Sequence, residues 1–489
     1  MSGAVDPRAM NFVTLQFAVF FLAVLGGGWV LRARPPVYRL FLLLANLFFY
    51  ASGGLYFLPL PLLISLVVWG TGQRLRASAA SSRRCVLAAG VALCLLMLGL
   101  FKYYEFVLQI LNDLLAWGGL GAFRPAALAD LPFPVGISFY TFQGIAYLAE
   151  LRGHPEEKPR SYLEILTYLS FFPTVLAGPI LRPGEFFPQL EQFPGRSAHL
   201  AEGASLILSG LFKKVVLATF LSEQVVAGVF QTPELFSSPA VLVAVYAYAV
   251  QIYCDFSGYT DLALGAGRLM GFDLPQNFRA PYLSLNIRDF WRRWHISLST
   301  WLRDYLYIPL GGDRGGTGAL CRNLLITMLL GGLWHGAHLR FLVWGLLHGL
   351  ALVFLRLARK FRPAPPDEDR DGQKAGKLTA ARFCSWFLTF HFICLSWIFF
   401  RAEDLSTARL IFERLFFWGQ PGEGFPRLAL PAIAVGVGLQ WAGPGLRDSF
   451  MRFQSRLPLP VQAALCAFLA GVILRLGPEG TLPFIYFQF

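Results

Sequence analysis

The sequence predicts an all-α polytopic membrane protein. Of its 489 residues, 55% are hydrophobic and only 15% are charged, whereas about 25% of an ordinary soluble domain is charged. The mean hydropathy is +0.53, and apolar runs follow one another along most of the chain. Because lipid offers no partner for backbone polar groups, these runs are expected to be helices. No hydrophilic stretch is long enough for a second domain, so we expect one transmembrane domain over residues 1–489.

Apolar runs near the roughly 20 residues that a helix needs to cross a bilayer define the candidate spans. The regular runs are 11–31, 38–53, 55–72, 85–101, 162–181, 240–254, 321–333, 339–357, 383–400, 429–444 and 460–475. Less regular runs near 106–120, 136–151 and 203–230 either cross the bilayer or only enter it. We therefore expect about eleven to thirteen transmembrane helices, together with re-entrant or interfacial helices.

Many of the basic residues behind the net charge of +13 lie in loops between apolar runs, so the charge does not indicate a nucleic-acid-binding surface. Basic residues cluster in the first and third loops, which the positive-inside rule assigns to the cytoplasm. The N-terminus is then expected on the opposite side of the membrane. The basic residues of these loops are Arg32, Arg34, Arg39, Arg74, Arg76, Arg83 and Arg84. The polar insert 356–382 is expected to be a flexible cytoplasmic loop. We expect no nucleic-acid partner.

Two histidines lie where a membrane protein normally carries apolar side chains. His335 lies between two apolar runs, and His295 lies in a charged, aromatic stretch just before them. Ionisable groups at membrane depth are retained mainly where they face a cavity or do chemistry, and histidine exchanges protons near neutral pH. The alternative for His335 is a histidine that only fills a packing position.

The stretch around His295 is too charged for an ordinary span. If it were one helix, Arg288, Trp291, Arg292, His295 and Ser299 would share a face, and Asp289 could pair with Arg293. Such a helix either lines a polar cavity as a re-entrant segment or anchors the protein at the lipid headgroups.

A third polar cluster follows an apolar run, and a second histidine follows His335. Asp255 and Asp261, with Ser257 between them, could orient cavity groups or a histidine, or, for Asp261 above all, could form a helix end or loop that faces water. His335 and His338 have metal-ligand spacing, but no carboxylate or cysteine lies near enough in sequence to complete the set. We therefore expect no metal site.

Ordered motifs along nearly the whole chain resemble the membrane-bound O-acyltransferase (MBOAT) family, in its bacterial alginate O-acetylation-like branch. They are FKYY at 101–104, PVGISFYTFQ at 134–143, AGPI at 177–180, DFSGYTD at 255–261, FWRRWHISLS at 290–299, RDYLYIPLGG at 303–312, WHGA at 334–337, WGLLHG at 344–349 and FIYF at 484–487. The resemblance implies a ring of tilted helices around a central tunnel. It matches His335 to the catalytic histidine and His295 to a supporting position. Our candidates for lining the tunnel are Asn286, Arg288, Trp291, Arg292, Ser299, Asp255, Ser257 and Trp334.

The resemblance implies an enzyme that moves an acyl group, most simply acetyl, from a cytoplasmic thioester such as acetyl-CoA across the membrane. The acceptor would be a hydroxyl of an exopolysaccharide such as alginate, reached through a periplasmic SGNH-type acyltransferase or another polysaccharide-modifying protein. The thioester is a co-substrate, and no tightly bound cofactor is expected. The resemblance also implies the bacterial inner membrane as the location, with lipid around the chain. Two alternatives stay open: transfer of D-alanyl or another acyl group from a carrier protein to a different envelope polymer, and a transporter or conduit without its own chemistry.

Overall fold

A computed structural model describes residues 10–121, 123, 134–192, 200–361, 379–454 and 456–477. In these ranges the chain is built from helices, and β pairing is limited to two isolated bridges. The α-helices are α1 Leu15–Leu31, α2 Pro35–Ala51, α3 Pro59–Ala77, α4 Arg83–Lys102, α5 Tyr104–Trp117, α6 Ile137–Gly153, α7 Tyr162–Leu169, α8 Phe172–Val175, α9 Pro183–Gln192, α10 Leu200–Leu211, α11 Thr219–Leu221, α12 Ala227–Gln231, α13 Ser238–Met270, α14 Ile287–Arg293, α15 Ile296–Leu302, α16 Gly316–His335, α17 Leu339–Phe361, α18 Ala380–Arg401, α19 Leu405–Phe416, α20 Ala429–Gln454 and α21 Leu459–Leu476. Short 3-10 helices cover Leu55–Phe57, Pro233–Leu235 and Pro281–Leu283, and π-helices cover Phe212–Ala218, Ser222–Val226 and Arg303–Tyr307.

Among the described residues, seven helices are long and apolar enough to cross a membrane. They are Leu55–Ala77, Arg83–Lys102, Leu200–Gln231, Ser238–Met270, Gly316–His335, Leu339–Ala358 and Ala380–Arg401. An eighth exists if Ala429–Ala442 and Gly445–Gln454, which meet at a 73° bend, form one span. The prediction of an all-α polytopic membrane protein is thus confirmed. Leu15–Leu31, Pro35–Ala51 and Pro460–Leu476 are shorter apolar helices, and the predicted count of eleven to thirteen spans stays a prediction.

One predicted span is wrong. Instead of a helix over 162–181, the chain forms α7 and the four-residue α8, with a break at Ser170 and Phe171. The buried side chain of Asn46 compensates the break, since it accepts a hydrogen bond from the Phe172 amide at 3.1 Å and donates one to the Thr167 carbonyl at 3.3 Å. Proline at position 173 lies in the first turn of α8, where its missing N–H costs nothing.

The chain divides into two compact units. The first comprises the described residues up to Gly203 together with Ala263–Pro275, and the second comprises Ala204–Leu262 together with the described residues from Gln276 onward. His295 and His335 both lie in the second unit. The expectation of one transmembrane domain stays a prediction. The predicted polar loop 356–382 is shorter than expected, because α17 continues to Phe361 and α18 begins at Ala380; residues 362–378 lie outside the described ranges.

Helices α16 and α17 form a tight antiparallel hairpin in the second unit. A Cβ at Gly332 would meet the backbone carbonyl of Phe341, and one at Gly345 would meet that of Met328. Small residues permit such close backbone contact between membrane helices. Because α16 carries His335, this contact helps to fix the position of the histidine.

We expect Gly332→Ala to destabilise the protein by about 1–3 kcal/mol, because the new methyl group would collide with backbone that cannot rotate away. The measurement is the apparent unfolding temperature in mild detergent. Gly318→Ala on the same helix is the matched control, since a Cβ there meets no atom within 4 Å. Equal unfolding temperatures for the two variants would contradict the assignment of close packing at Gly332.

Candidate active site

His335 is the last residue of α16 and is enclosed by aromatic rings. The helix ends there because Gly336 adopts an extended conformation and the chain turns back into α17. The centroids of the Trp334, Trp344 and Phe400 rings lie 5.0, 5.1 and 5.1 Å from that of the imidazole. The side chain is 4% exposed. This apolar enclosure would exclude water from a reaction at the imidazole.

His295 lies between α14 and α15 in a left-handed conformation, with φ of 44°. Such a conformation costs a non-glycine residue about 1–2 kcal/mol and persists where surrounding contacts impose it. Here the amide of Ile296 donates to the Asn277 carbonyl at 3.0 Å, and the amide of Ser297 donates to the Asn277 side chain at 3.1 Å. The His295 side chain is completely buried, and burial lowers its pKa to about 3, so the imidazole is neutral.

Trp334 lies between the two histidines. Its ring centroid is 5.8 Å from that of His295 and 5.0 Å from that of His335. On the other side of His295, the Phe256 ring makes an edge contact at 4.6 Å. The structure therefore brings together three of the residues that the sequence singled out, His295, Trp334 and His335.

A cavity of about 460 Å³ opens beside this cluster, within the size range of small-molecule sites. Its polar lining includes four arginines and one carboxylate, and its interior is formed by leucines and a methionine. The lining residues are Arg288, Trp291, Arg292, Ile296, Ser299, Thr300, Leu302, Arg303, Tyr307, Asp313, Leu320, Leu324, Thr327, Met328, Leu352, Leu355 and Arg356. The excess of guanidinium groups favours an anionic ligand, and the apolar interior favours a chain with little charge.

Two tryptophan side chains in edge-on contact connect the cavity wall to the catalytic candidate. Trp291 lines the cavity, and its ring centroid is 5.8 Å from that of Trp344. Trp344 in turn contacts His335 edge-on, with an interplanar angle of 90°. Trp291 and Trp344 thus separate the cavity from the buried imidazole.

The prediction that five residues around His295 share one face is confirmed for four of them and wrong for His295 itself. Arg288, Trp291, Arg292 and Ser299 all line the cavity, but His295 does not. The helix ends at Arg293 and restarts at Ile296, so His295 turns away from that face into the protein interior. Within α14, the expected pairing holds, since Arg293 Nε lies 2.7 Å from Asp289 Oδ1.

Three further candidates have structural roles in the described chain. Asn286 caps α14, where its side chain accepts a hydrogen bond from the Asp289 amide at 2.9 Å, and it is not part of the cavity lining. Asp255 forms a buried ion pair with Lys214, and Ser257 accepts a hydrogen bond from Lys213 at 3.2 Å. Asp255 therefore has a lysine partner, where the sequence suggested cavity groups or a histidine.

Asp261 was expected at a helix end facing water, and this is wrong. It lies within the 33-residue helix α13. Its carboxylate lies 2.7 Å from Lys213 Nζ and accepts a hydrogen bond from Ser209 at 2.8 Å. The two lysines belong to the π-helix Phe212–Ala218, and sequence reasoning missed them because they stand in a run that reads as an irregular apolar span.

His348 was also missed as a member of the site. Around an unbroken helix, it would lie well away from His335, but the break at Gly336 places both histidines against Trp344. The ring centroid of Trp344 is 4.7 Å from that of His348 and 5.1 Å from that of His335. His338, the other neighbour of His335 in the sequence, is half-buried, and burial together with Arg340 lowers its pKa. Across the described ranges, histidine, cysteine and acidic side chains do not gather in groups of three or more.

These features describe a multi-pass membrane protein with a buried histidine next to an arginine-lined cavity. The sequence model of the membrane-bound O-acyltransferase (MBOAT) family matches residues 86–401. The chain belongs to this family and is an O-acyltransferase.

Three relatives are similar to this chain over more than half of its length. A probable alginate O-acetylase of Pseudomonas putida is 36% identical over 98% of this chain and all of its own length. A peptidoglycan O-acetyltransferase of Helicobacter pylori is 36% identical over 81% of this chain and 78% of its own. A teichoic acid D-alanyltransferase of Bacillus subtilis is 28% identical over 55% of this chain and 69% of its own.

Proposed function

We propose that this protein transfers an acetyl group from a cytoplasmic thioester to a hydroxyl group on the far side of the bacterial inner membrane, for O-acetylation of an exopolysaccharide such as alginate. The observation that carries the proposal is the arginine-lined cavity, whose wall residue Trp291 contacts Trp344, which in turn contacts the buried His335. The similarity to the alginate O-acetylase of Pseudomonas putida supports the polymer.

The cavity suits a donor such as acetyl-CoA. Arg288, Arg292, Arg303 and Arg356 line it together with a single carboxylate, Asp313. Arg356 pairs with Asp313 at 2.9 Å. The guanidinium groups would bind the phosphates, and the leucines would contact the uncharged arm that carries the acyl group. Arg356 lies near the end of α17, close to the polar insert that we expect in the cytoplasm, where such thioesters are made.

His335 would act as the general base. Its imidazole takes the hydroxyl proton while the alcohol oxygen attacks the thioester carbonyl carbon. The C–S bond then breaks, and the imidazolium returns the proton to the departing thiolate, so that ester and thiol are the only products. A positioned base typically contributes about 10²–10⁴ in rate. Neutral, buried His295 would support the site from behind Trp334.

The direct acceptor would belong to a periplasmic partner, such as an SGNH-type acyltransferase, that passes the acyl group to the polymer. One second candidate is favoured by an observation: the match to the peptidoglycan O-acetyltransferase of Helicobacter pylori supports acetylation of a different envelope polymer. Donor chemistry and His335 would be the same in both cases.

Inside-out membrane vesicles containing the chain, the partner and the polymer provide the test. Acetyl-CoA labelled in the acetyl group is supplied outside, and label in the enclosed polysaccharide is counted. Transfer that requires the chain supports the proposal. No transfer from acetyl-CoA, with transfer from an acylated carrier protein instead, would overturn the assigned donor.

We expect Arg292→Gln to raise KM for acetyl-CoA about threefold to tenfold at low salt with little change in kcat, because one phosphate contact is lost. The effect should shrink as ionic strength rises, since this arginine is exposed. Arg409→Gln is the control, because Arg409 is an exposed arginine on α19 that does not line the cavity. An unchanged KM in Arg292→Gln would remove that residue from donor binding.

A further inference from the structure

His348 is a completely buried histidine that the proposed reaction does not yet use. Its ring contacts those of Trp344 at 4.7 Å and Trp291 at 5.4 Å. Trp291 lines the cavity, and Trp344 also contacts His335. His348 therefore contacts the cavity wall through Trp291 and shares the Trp344 ring with the proposed general base.

The hydrogen bonds of Ser396 assign the tautomer of His348. The Ser396 hydroxyl donates its single proton to the Ile393 carbonyl at 2.8 Å. His348 Nε2 lies 3.0 Å from the same hydroxyl oxygen, and with the hydroxyl proton given to Ile393 we assign the ring proton to Nε2, which donates it to Ser396. The lone pair of the neutral ring then resides on Nδ1, which makes Nδ1 an acceptor.

Three buried polar atoms at this point have no hydrogen-bond partner among the described residues. They are the acceptor Nδ1 of His348 and the indole N–H donors of Trp344 and Trp291. A buried donor or acceptor left unsatisfied costs about 1–3 kcal/mol, and native structures rarely leave three in mutually contacting side chains. One acceptor beside two donors is the complement of a secondary amide, which carries one N–H and one carbonyl.

We propose that His348, Trp344 and Trp291 bind the secondary amide nearest the thioester in a pantetheine-type donor arm. Nδ1 would accept from the amide N–H, and an indole would donate to the amide carbonyl. This inference rests on the proposed function, since it assumes a thioester donor in the cavity. Three bonds separate that amide nitrogen from the donor sulfur, a span of roughly 4 Å at standard bond lengths. The His348 and His335 rings both contact the Trp344 ring, at 4.7 and 5.1 Å, so a donor amide held at His348 would leave the thioester on the side of the proposed base.

The test compares two small acetyl donors with the full-length chain in membrane vesicles. One is the thioester of N-acetylcysteamine, which carries the amide, and the other is an acetyl alkyl thioester of equal length without it. The quantity measured is the ratio of kcat/KM for the two donors. We expect wild type to prefer the amide-bearing donor about tenfold, as a buried hydrogen-bonding site does.

Two substitutions of His348 separate donor binding from packing. His348→Asn places a side-chain oxygen near the position of Nδ1 but loses the bond to Ser396, whereas His348→Gln places its polar group near Nε2. We expect His348→Asn to keep most of the preference for the amide and His348→Gln to lose it, mainly through KM. Ser396→Ala is the control that removes the Nε2 partner without removing Nδ1, and it should retain the preference.

The results distinguish the failure of this inference from that of the proposed function. If wild type uses neither thioester, while the same vesicles transfer acyl groups from another donor, the thioester assignment itself fails. If wild type uses both donors equally, no amide site exists and a water molecule is the better occupant. If His348→Gln and Ser396→Ala lower kcat equally for both donors, His348 only supports the fold.

Discussion

His335→Ala is expected to reduce acyl transfer by about 10²–10⁴, the contribution typical of a positioned general base. The imidazole is enclosed by Trp334, Trp344 and Phe400, and alanine can take up no proton there. The measurement is the rate of labelled acetyl transfer in vesicles, normalised to the amount of folded protein.

A second histidine provides the control for this prediction. His391 on α18 lies 2.9 Å from the Tyr246 hydroxyl, and its ring is only partly buried. We expect His391→Ala to retain nearly the full rate. If His335→Ala folds normally and transfers acetyl at the wild-type rate, His335 is a packing residue and the general base lies elsewhere.

Lys213→Met is expected to destabilise the protein by about 3–5 kcal/mol, the largest effect on stability among these predictions. The substitution leaves the largely enclosed carboxylate of Asp261 without its cation, and an uncompensated charge in a low-dielectric interior is costly. The Lys213 and Asp261 side chains are only 9% and 18% exposed, so solvent screens the pair weakly. The measurement is the unfolding midpoint in mild detergent.

The double variant Lys213→Met, Asp261→Asn tests the reason for the loss. Removing both charges should recover much of the stability, because the penalty comes from the unpaired charge and exceeds the net contribution of the ion pair. If the double variant is no more stable than Lys213→Met, the loss has another cause, such as disrupted packing where Gly210 and Gly258 bring the two helices together.

Two adjacent lysines of the π-helix Phe212–Ala218 both find partners on α13. Lys213 reaches Asp261 and Ser257, while Lys214 reaches Asp255. Inserted π turns are frequent at functional sites. These ion pairs connect the DFSGYTD motif to the neighbouring helix, so the motif serves here to hold α13, and Phe256 within it contacts His295.

Local properties of the sequence were enough to predict that this is a membrane protein, that Asp289 pairs with Arg293, and that four residues line the cavity. Apolar runs and net charge depend on composition alone, and an i,i+4 pair needs only one turn of helix. The two central histidines were also visible in the sequence, because an ionisable group in an apolar run stands out without any knowledge of its neighbours.

Only the tertiary structure decided where these helices break and which distant side chains meet. His295 leaves its predicted face because pairing with Asn277 imposes a left-handed turn, and His348 joins His335 at Trp344 because α16 ends at Gly336. Lys213 meets Asp261 across two closely packed helices. The physical reason is the range of the forces involved: helical periodicity acts over four residues, whereas a helix break and a buried ion pair are stabilised by contacts with residues far away in the chain.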